Sequence, residues 1–345
     1  MKVHLVTRDQ RPAQLTGLIL CHELRGAAGE TVFTKGHILS DADILQLVEL
    51  PWTELHLIEP EPDEIHEDPA GERMARSSAG DGVETKAMSG GHWPIAATRR
   101  GILQVETELL HQTNEIEGVC VYTLYDGQVV DAGEIVARAK ITPFVIKEAH
   151  LAEAEVLASE AGGLVRVKAF RPMKVGAVVQ ETLGERAMER FREALGEKVA
   201  WFGSEMVDPK FVKPREEAIA AAIEELVRSK TDVIALAGTK AMDPLDPAFR
   251  ALTRLGVPLE RYGVPAHPGS LFWLAHMEEV PILGMPSCGL FAQATVFDLV
   301  LPRVLTGEWI NRDDLVQLGH GGLLTREMSF RFPRYRASKE RGAVE

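Results

Sequence analysis

The stretch VIALAGTKAMDPLDP, residues 233–247, joins an apolar run to a glycine and then to two aspartates, each followed by a proline. A short apolar run that stops at a glycine is typical of a strand buried on both faces of a parallel sheet. Asp246 followed by Pro247 is typical of a helix start, because aspartate caps free amide groups and proline fits the first turn. The stretch therefore predicts a buried strand, a loop that contains Asp243, and a helix.

The same alternation of strands and helices extends through the second half of the chain, from residue 171 onward. The predicted strands are KVGAVV (174–179), VAWFGSEMV (199–207), DVIALAG (232–238) and PILGMPS (281–287). The predicted helices are ERAMERFREAL (185–195), PREEAIAAAIEELVRS (214–229), DPAFRALTRL (246–255) and SCGLFAQATVFDLVLPRVLTG (287–307). Because such alternation produces parallel sheets covered by helices, we predict an α/β fold, a three-layer α/β/α sandwich with a mostly parallel sheet.

The first half of the chain has a different residue pattern, in which short apolar runs are separated by glycine, proline and charged residues. Residues 119–146 alternate short strand patterns with turn signals such as Asp126-Gly127. We therefore predict a β-rich α+β N-terminal region, in one or two small modules. The predicted domain bounds are 1–168 for this region, 169–330 for the α/β domain and 331–345 for a polar tail.

Composition excludes several classes of partner. The 345 residues include 38 basic and 51 acidic side chains, which gives a formal net charge of −13. That charge argues against binding to nucleic acid or to an anionic membrane surface. No apolar stretch approaches the roughly 20 residues of a membrane span, and the three cysteines show no Cys-x-x-Cys spacing. We expect a cytoplasmic protein without disulfides or a cysteine zinc site.

The loop after the strand at 233–237 carries groups that bind phosphate and metal. Gly238 lets a ligand approach the backbone, Thr239 and its neighbouring amides suit an oxyanion, and Lys240 suits a phosphate. Asp243 and Asp246 offer oxygen ligands for Mg²⁺ and would be the catalytic carboxylates. The alternative for Asp246 is a helix cap, and Asp243 has no such local duty.

Two further segments are predicted to lie at the ends of strands and to face the same ligand. They comprise Pro268, Gly269 and Ser270 in HPGS, and Pro286, Ser287, Cys288 and Gly289 in the run before the last helix. Free amides at a helix start bind anions, and a cysteine there is favoured as a thiolate. The alternatives are that Ser287 caps the helix and that Cys288 is a small packing residue.

Two histidines of the first half have neighbours that suggest a site. His66 lies in PDEIHED, which is either a metal ligand set or a solvated acidic loop. His92 lies in SGGHWP, a glycine-rich segment that could contact a ligand.

The loops of the second half together resemble the molybdopterin-binding domain of molybdopterin adenylyltransferases and molybdotransferases. The resemblance rests on VIALAGTKAMDPLD at 233–246 and on the run from VPAHPGS to VLPRVLTGE at 264–308, and it covers about 171–325. The N-terminal half is similar to an uncharacterised branch of these proteins. The segments that carry this second likeness are 36–39, 61–68, 97–105, 139–146 and 319–324.

The resemblance implies binding of molybdopterin or its nucleotide form, with Mg²⁺ supporting nucleotide chemistry. By motif match the ligand-binding roles belong to Gly238, Thr239, Asp243 and Asp246, with Asp208 in a second loop and residues 286–289 in a third. If the protein is an enzyme, it would be an adenylyl- or molybdotransferase-like transferase. Relatives of the domain share sites between subunits, which implies a homo-oligomer, a dimer or trimer.

Departures from the family pattern keep other functions open. The family has Gly-Gly where this chain has Ala237-Gly238, it has serine or glycine at the position of Lys240, and it has glycine at the position of Ser287. One alternative is a non-catalytic carrier or sensor of the finished molybdenum cofactor. Another is a nucleotide pyrophosphatase on the same fold, in which Lys240 would bind a phosphate.

Overall fold

The computed structural model describes residues 1–8, 14–181, 183–285 and 294–335. The chain divides into two compact units. Unit 1 comprises Met1–Arg99, Leu103–Asp126 and Asp131–Val167, and unit 2 comprises Arg100–Ile102, Gly127–Val130 and Lys168–Glu345. Among the described residues, no helix is both long enough and apolar enough to cross a membrane.

The first part of the chain is rich in short strands. Its strands are β1 Lys2–Thr7, β2 Ile19–Leu20, β3 Leu24–Arg25, β4 Thr31–Phe33, β5 Glu54–Glu59, β6 Glu64–His66, β7 Val83–Thr85, β8 Trp93–Ala97, β9 Gly101–Val105, β10 Val119–Thr123, β11 Val129–Val130, β12 Ile135–Ile141, β13 Val145–Lys147 and β14 Val165–Ala169. Its helices are α1 Asp41–Glu49, α2 Glu67–Ser78, α3 Thr107–Glu115 and α4 Glu148–Glu160.

Antiparallel pairing organises unit 1. One sheet has the strand order β1-β5-β2 and another the order β10-β12-β8-β7, and β13 pairs with β6. In β5, Leu55 and Leu57 are fully buried while Glu54 and His56 are exposed. This alternation follows from the pleat of a strand, in which successive side chains point to opposite faces.

The second part of the chain alternates strands and helices. Its elements are β15 Lys174–Val179, α5 Glu185–Trp201, β16 Glu205–Met206, β17 Lys210–Phe211, α6 Glu216–Arg228, β18 Val233–Ala237, α7 Pro247–Arg254, β19 Leu259–Tyr262, β20 Trp273–Met277, β21 Val280–Gly284, α8 Phe297–Leu305, α9 Arg312–Gln317 and a 3₁₀ helix, Arg326–Arg331. The sheet has the order β16-β15-β18-β21-β20-β19, and β17 also pairs with β15. The prediction of a broadly α/β chain is therefore confirmed.

Apolar strands carry helices on both faces of this sheet. In β18, Val233 and Ala235 pack in the cluster that contains residues of α5 and α8. Ile234 and Leu236 of the same strand pack in the opposite cluster, with residues of α6 and α7. A strand buried on both faces explains why the run from 233 to 237 is continuously apolar.

Two predicted elements have different bounds in the structure. Residues 199–201, predicted as strand, form the last turn of α5, since Phe191, Leu195 and Val199 continue one buried helical stripe. Residues 287–293 of the helix predicted at 287–307 lie outside the described residues, and the described helix α8 begins at Phe297. Its start is set by Thr295, whose Oγ1 accepts a hydrogen bond from the Phe297 amide at 3.2 Å.

Candidate functional site

The ends of the parallel strands meet at one edge of the unit 2 sheet. Val179 pairs with Ala237, and the end of β18 pairs in parallel with the end of β21 at Gly284. The turn between β19 and β20 lies at the same edge, because Trp273 pairs with both Tyr262 and Gly284. We call this the carboxyl edge, and its described loops are 180–181, 183–184, 238–246 and 263–272.

Gly238 turns the chain sharply at the end of β18. Its φ is +84°, a conformation that side chains with a Cβ rarely adopt. A Cβ at this position would lie 2.7 Å from Cγ of Glu181, so the glycine also permits close approach of the neighbouring loop. The Gly238 carbonyl accepts a hydrogen bond from Nε2 of Gln180 at 3.2 Å. The loop predicted to bind phosphate therefore lies against the end of β15.

Asp246 is the buried N-cap of α7, with Pro247 in the first turn, as the sequence predicted. Its Oδ1 accepts from Nε2 of Gln180 at 2.7 Å and from the Ala248 amide at 2.9 Å. Its Oδ2 accepts from the Lys240 amide at 2.9 Å, and the residue is 2% exposed. Because three N–H groups of the protein occupy this carboxylate, the geometry favours a cap and does not favour Mg²⁺ coordination by Asp246.

Asp243 and Lys240 are the accessible charges of the same loop. Asp243 is exposed, and its Oδ1 accepts from the Leu245 amide at 2.9 Å. No residue in the described part of the chain donates to its Oδ2, so one oxygen remains available to a ligand. Lys240 is exposed too, and its ammonium forms no ion pair with any described residue. The pair offers one carboxylate oxygen and one cation to a bound molecule.

Two buried oxygens beside this loop lack a hydrogen-bond partner. They are Oε1 of Gln180 and Oγ1 of Thr239. Buried polar groups are normally paired, and an unpaired one calls for an explanation such as a ligand or an ordered water. Gln180 was not predicted from the sequence, since only the fold brings it to Asp246, 66 residues further along the chain.

The HPGS segment lies at the carboxyl edge, as predicted. Gly269 is buried with φ +110°, and a Cβ there would lie 2.8 Å from the amide nitrogen of Val296. The Pro268 carbonyl accepts from that same amide at 3.2 Å, while Ser270 is exposed. The hydroxyl of Tyr262 donates to the Ala241 carbonyl, which joins the end of β19 to the loop after β18.

Pro286, Ser287, Cys288 and Gly289 fall outside the described residues, and their predicted role stays a prediction. The structure does describe the start of the helix that follows them. Asp298 is fully buried, its Oδ2 accepts from the Thr295 amide at 2.9 Å, and its Oδ1 binds the ammonium of Lys198 at 2.7 Å. Tyr335 donates to the same Oδ1 at 2.9 Å, and burial together with Asp298 raises the pKa of the Tyr335 hydroxyl well above its usual value.

Asp208 lies away from the carboxyl edge. It sits between β16 and β17, level with the middle of β15, because Val175 pairs with Met206 and Val178 with Lys210. Its side chain is 81% exposed and accepts from Nε of Arg192 at 3.3 Å. The sequence reading placed Asp208 after the second strand, but that strand continues beyond it to Phe211.

The cations that do follow this strand were missed. Lys213 and Arg215 are exposed residues of the short link from Phe211 to α6. The Val212 amide, just before them, donates to the carbonyl of Val179 at 3.0 Å, so the link begins at the carboxyl edge. Their signal in the sequence was the KPR triplet at 213–215, which was taken only as a helix start.

Metal binding has little support from the described residues. Within 1–8, 14–181, 183–285 and 294–335, no group of three or more His, Cys, Asp or Glu side chains is arranged to hold a metal ion. At the carboxyl edge, the single open oxygen of Asp243 would need phosphate or water oxygens to complete a Mg²⁺ shell.

Comparisons with known proteins are sparse. No protein-family model matches the chain, and no curated protein matches it. Among solved structures, the chain is similar to the molybdopterin biosynthesis moea protein from Pyrococcus horikosii, with 16% sequence identity and a TM-score of 0.32. The match covers 69% of this chain and 78% of that one. A likeness of this size leaves the family of the chain open.

Proposed function

We propose that this protein binds molybdopterin, or its nucleotide form, at the carboxyl edge and acts in molybdenum-cofactor biosynthesis or handling. The proposal includes the finer description of unit 2 as a three-layer α/β/α sandwich of the molybdopterin-binding type. It also includes assembly into a dimer or trimer. If the protein is catalytic, the reaction would be adenylyl transfer or molybdate insertion on the pterin.

The observation that carries the proposal is the meeting of two motif segments at one edge. Residues 238–246 and the HPGS segment at 267–270 were selected from the sequence for their likeness to the same family. In the structure, both lie where parallel strands end, and Tyr262 links the two neighbourhoods through Ala241. Ligands of open α/β sheets bind at such carboxyl ends.

The residues at this edge suit the phosphate of a pterin better than a metal ion. Gly238 permits the sharp turn of the loop, Lys240 supplies a positive charge that forms no ion pair with a described residue, and Thr239 supplies a hydroxyl. These groups would hold the phosphate, while the bound pterin itself would supply the dithiolene that carries molybdenum.

The carrier or sensor alternative is favoured by the state of Asp246. A carboxylate that accepts three protein hydrogen bonds and is 2% exposed has no oxygen free for chemistry on a phosphoryl group. Binding without turnover would then be the whole function of this edge. Turnover of added nucleotide would argue for the transferase or pyrophosphatase reading.

The test is to purify the protein from a host that makes molybdenum cofactor and to measure released, oxidised pterin by fluorescence and mass spectrometry. We expect stoichiometric pterin, with any attached nucleotide identifying the cofactor form. Lys240→Gln should reduce the pterin content. Lys174→Gln is the matched control, since Lys174 is an exposed lysine at the opposite end of β15. A protein that carries no pterin and fails to bind added molybdopterin would refute the proposal.

Size-exclusion chromatography with light scattering tests the assembly. A monomer at micromolar concentration would remove the oligomer from the proposal and leave the binding site in place.

A further inference from the structure

Unit 1 contains a cavity of about 1000 Å³ that is independent of the carboxyl edge. Four short segments and two single residues line it: 21–23, 34–38, 66–69, 90–91, Met88 and Lys140. Three of the N-terminal motifs described above, at 36–39, 61–68 and 139–146, contribute to this wall. Segments far apart in sequence thus converge on one space of the size that holds small ligands.

The wall is built by a tight turn fixed to the start of α2. The His37 amide donates to the Thr34 carbonyl at 3.3 Å, and Gly36 has φ +80°, which places Lys35 at the tip of the turn. His66, the N-cap of α2, bonds the Gly36 carbonyl through Nε2 at 2.8 Å. Its Nδ1 accepts from the Asp68 amide at 3.2 Å, so Nε2 carries the donated proton. His66 therefore fixes the turn to the start of α2, and both of its ring nitrogens are already hydrogen-bonded, so it is not a free metal ligand.

Glu67 is a half-buried carboxyl in this wall with no donor among the described residues. A Cβ on Gly36 would lie 2.7 Å from its Oε1, which shows how closely the carboxyl covers the turn. Burial raises the pKa of Glu67, and the charges of Lys140 and Lys35 act in the opposite direction. An unpaired, partly desolvated carboxyl is a group that a ligand hydroxyl or amine would satisfy.

The two lysines supply unpaired positive charge to the same cavity. Neither Lys35 nor Lys140 forms an ion pair with a described residue. Both lie near enough to Glu67 for their charges to lower its pKa. In the same wall, Gly90 and Gly91 form a two-residue turn in which both φ values are positive. That turn is closed by paired hydrogen bonds between Ser89 and His92, so glycine backbone without side chains forms this part of the wall.

We propose that this cavity binds a small phosphorylated molecule, with its phosphate on Lys35 and Lys140 and a hydroxyl donating to Glu67. Two ammonium groups attract the phosphate, and the carboxyl selects a ligand that also carries a donor. The described residues of the wall form no three-ligand metal group, so a bare cation is the weaker fit. The proposal does not depend on the function of the carboxyl edge.

The test uses isothermal titration of the full chain at low ionic strength with two probes, inorganic phosphate and ribose 5-phosphate. We expect saturable binding of both, and tighter binding of the sugar phosphate. Lys35→Gln and Lys140→Gln should each weaken both probes by about tenfold, the loss expected for one charge-assisted hydrogen bond. Glu67→Ala should abolish the advantage of ribose 5-phosphate without weakening inorganic phosphate.

Two controls identify the site. Lys86→Gln removes an exposed lysine of unit 1 that does not line the cavity, and it should change nothing. Lys240→Gln, which would weaken phosphate binding at the carboxyl edge, should leave the binding that depends on Lys35 and Lys140 unchanged. The proposal fails if neither probe binds at millimolar concentration, or if Lys86→Gln weakens binding as much as Lys35→Gln. It fails as well if only Lys240→Gln weakens binding, in which case the probes report on the carboxyl edge. Circular dichroism of each variant confirms that it is folded.

Discussion

Replacing Asp246 by alanine tests whether this aspartate is structural or catalytic. The carboxylate caps α7 and also accepts from the Gln180 side chain and the Lys240 amide. If capping α7 is the main role of Asp246, Asp246→Ala should lower the free energy of unfolding strongly. Asp243→Ala should lower it little, because Asp243 is exposed and its side chain accepts one hydrogen bond where that of Asp246 accepts three.

The expected magnitude follows from the three donors that lose their acceptor. Loss of an aspartate cap costs about 1 kcal/mol. The side-chain amide of Gln180, a residue that is 3% exposed, would keep its bond to the Gly238 carbonyl but would leave its other N–H buried without an acceptor, which costs about 1–3 kcal/mol. The Lys240 amide lies on an exposed residue and recovers a water, so it adds little. We expect Asp246→Ala to lower the free energy of unfolding by about 2–4 kcal/mol. Asp243→Ala should lower it by less than about 0.5 kcal/mol, as most surface substitutions do.

Guanidinium unfolding measures both changes. Tryptophan fluorescence is informative for unit 2, because the buried Trp273 ring lies 5.6 Å from the Phe249 ring of α7. Since the two units can unfold separately, the midpoint and slope of each transition should be compared between variants and the parent chain. Pterin binding is measured on the same samples, below the transition.

An opposite pattern would refute the reasoning. If Asp246→Ala left the unfolding transition within about 0.5 kcal/mol of the parent but abolished nucleotide turnover, the carboxylate would be catalytic and the cap incidental. If Asp243→Ala proved the more destabilising change, the assignment of accessible and structural aspartates would be reversed.

Three further perturbations test the packing of unit 2. Asp298→Asn should cost about 3–5 kcal/mol in guanidinium unfolding, because it leaves the buried ammonium of Lys198 without a counter-ion; a cost below 1 kcal/mol would mean that the pair is not buried as described. Gly238→Ala should cost about 1–2 kcal/mol, since alanine is strained at φ +84°; unchanged stability would show that the loop adopts another conformation. Burial lowers the pKa of His276, which stacks on Trp309 at 4.0 Å, so the unfolded chain takes up a proton first and stability should fall as the pH drops below 6.5. His276→Phe should reduce that fall, measured as the difference in melting temperature between pH 7.5 and pH 5.5, and an unchanged difference would exclude His276 as its cause.

Local patterns in the sequence predicted the parts of the edge that depend on neighbours in the chain. The apolar run at 233–237, the glycine that ends it and the Asp246-Pro247 helix start are all set by residues within a few positions of one another. The structure has each of them where the sequence placed it. HPGS was predicted from the sequence only as a further turn facing the same site, and the pairing of β20 with β21 is what brings it to this edge.

Features that depend on distant residues were not predicted. The residues near Gln180 in sequence do not indicate that its side-chain amide donates to Asp246. The contact exists because β15 pairs in parallel with β18. Asp208 does follow a strand, β16, but its position before the carboxyl edge was not predicted, since pairing with β15 resumes beyond it as β17. The start of α8 could have been predicted, because Thr295 and Asp298 have the spacing of a capping box. It was not predicted because the apolar run around them favours one longer helix.

The caps of the helices indicate where an anion would sit at the carboxyl edge. The first turns of α7 and α8 are already satisfied by Asp246 and by Thr295. The first turn of α5 has no side-chain cap, and its N-cap is Gly184, five residues after β15 ends at Val179. The start of α6 is uncapped too, but its first turn carries two carboxylates, Glu216 and Glu217, where that of α5 carries one, Glu185.

A phosphate is therefore best accommodated between the start of α5 and the loop after β18. Free amide groups at a helix start and its positive dipole end favour an anion. Gly238 lies on that side, since it approaches Glu181 at the end of β15, and Lys240 follows it in the same loop. We infer that the counter-charge for the phosphate comes from Lys240 and the α5 amides, because Asp246, one of the two carboxylates predicted to bring Mg²⁺, is hydrogen-bonded to the protein itself.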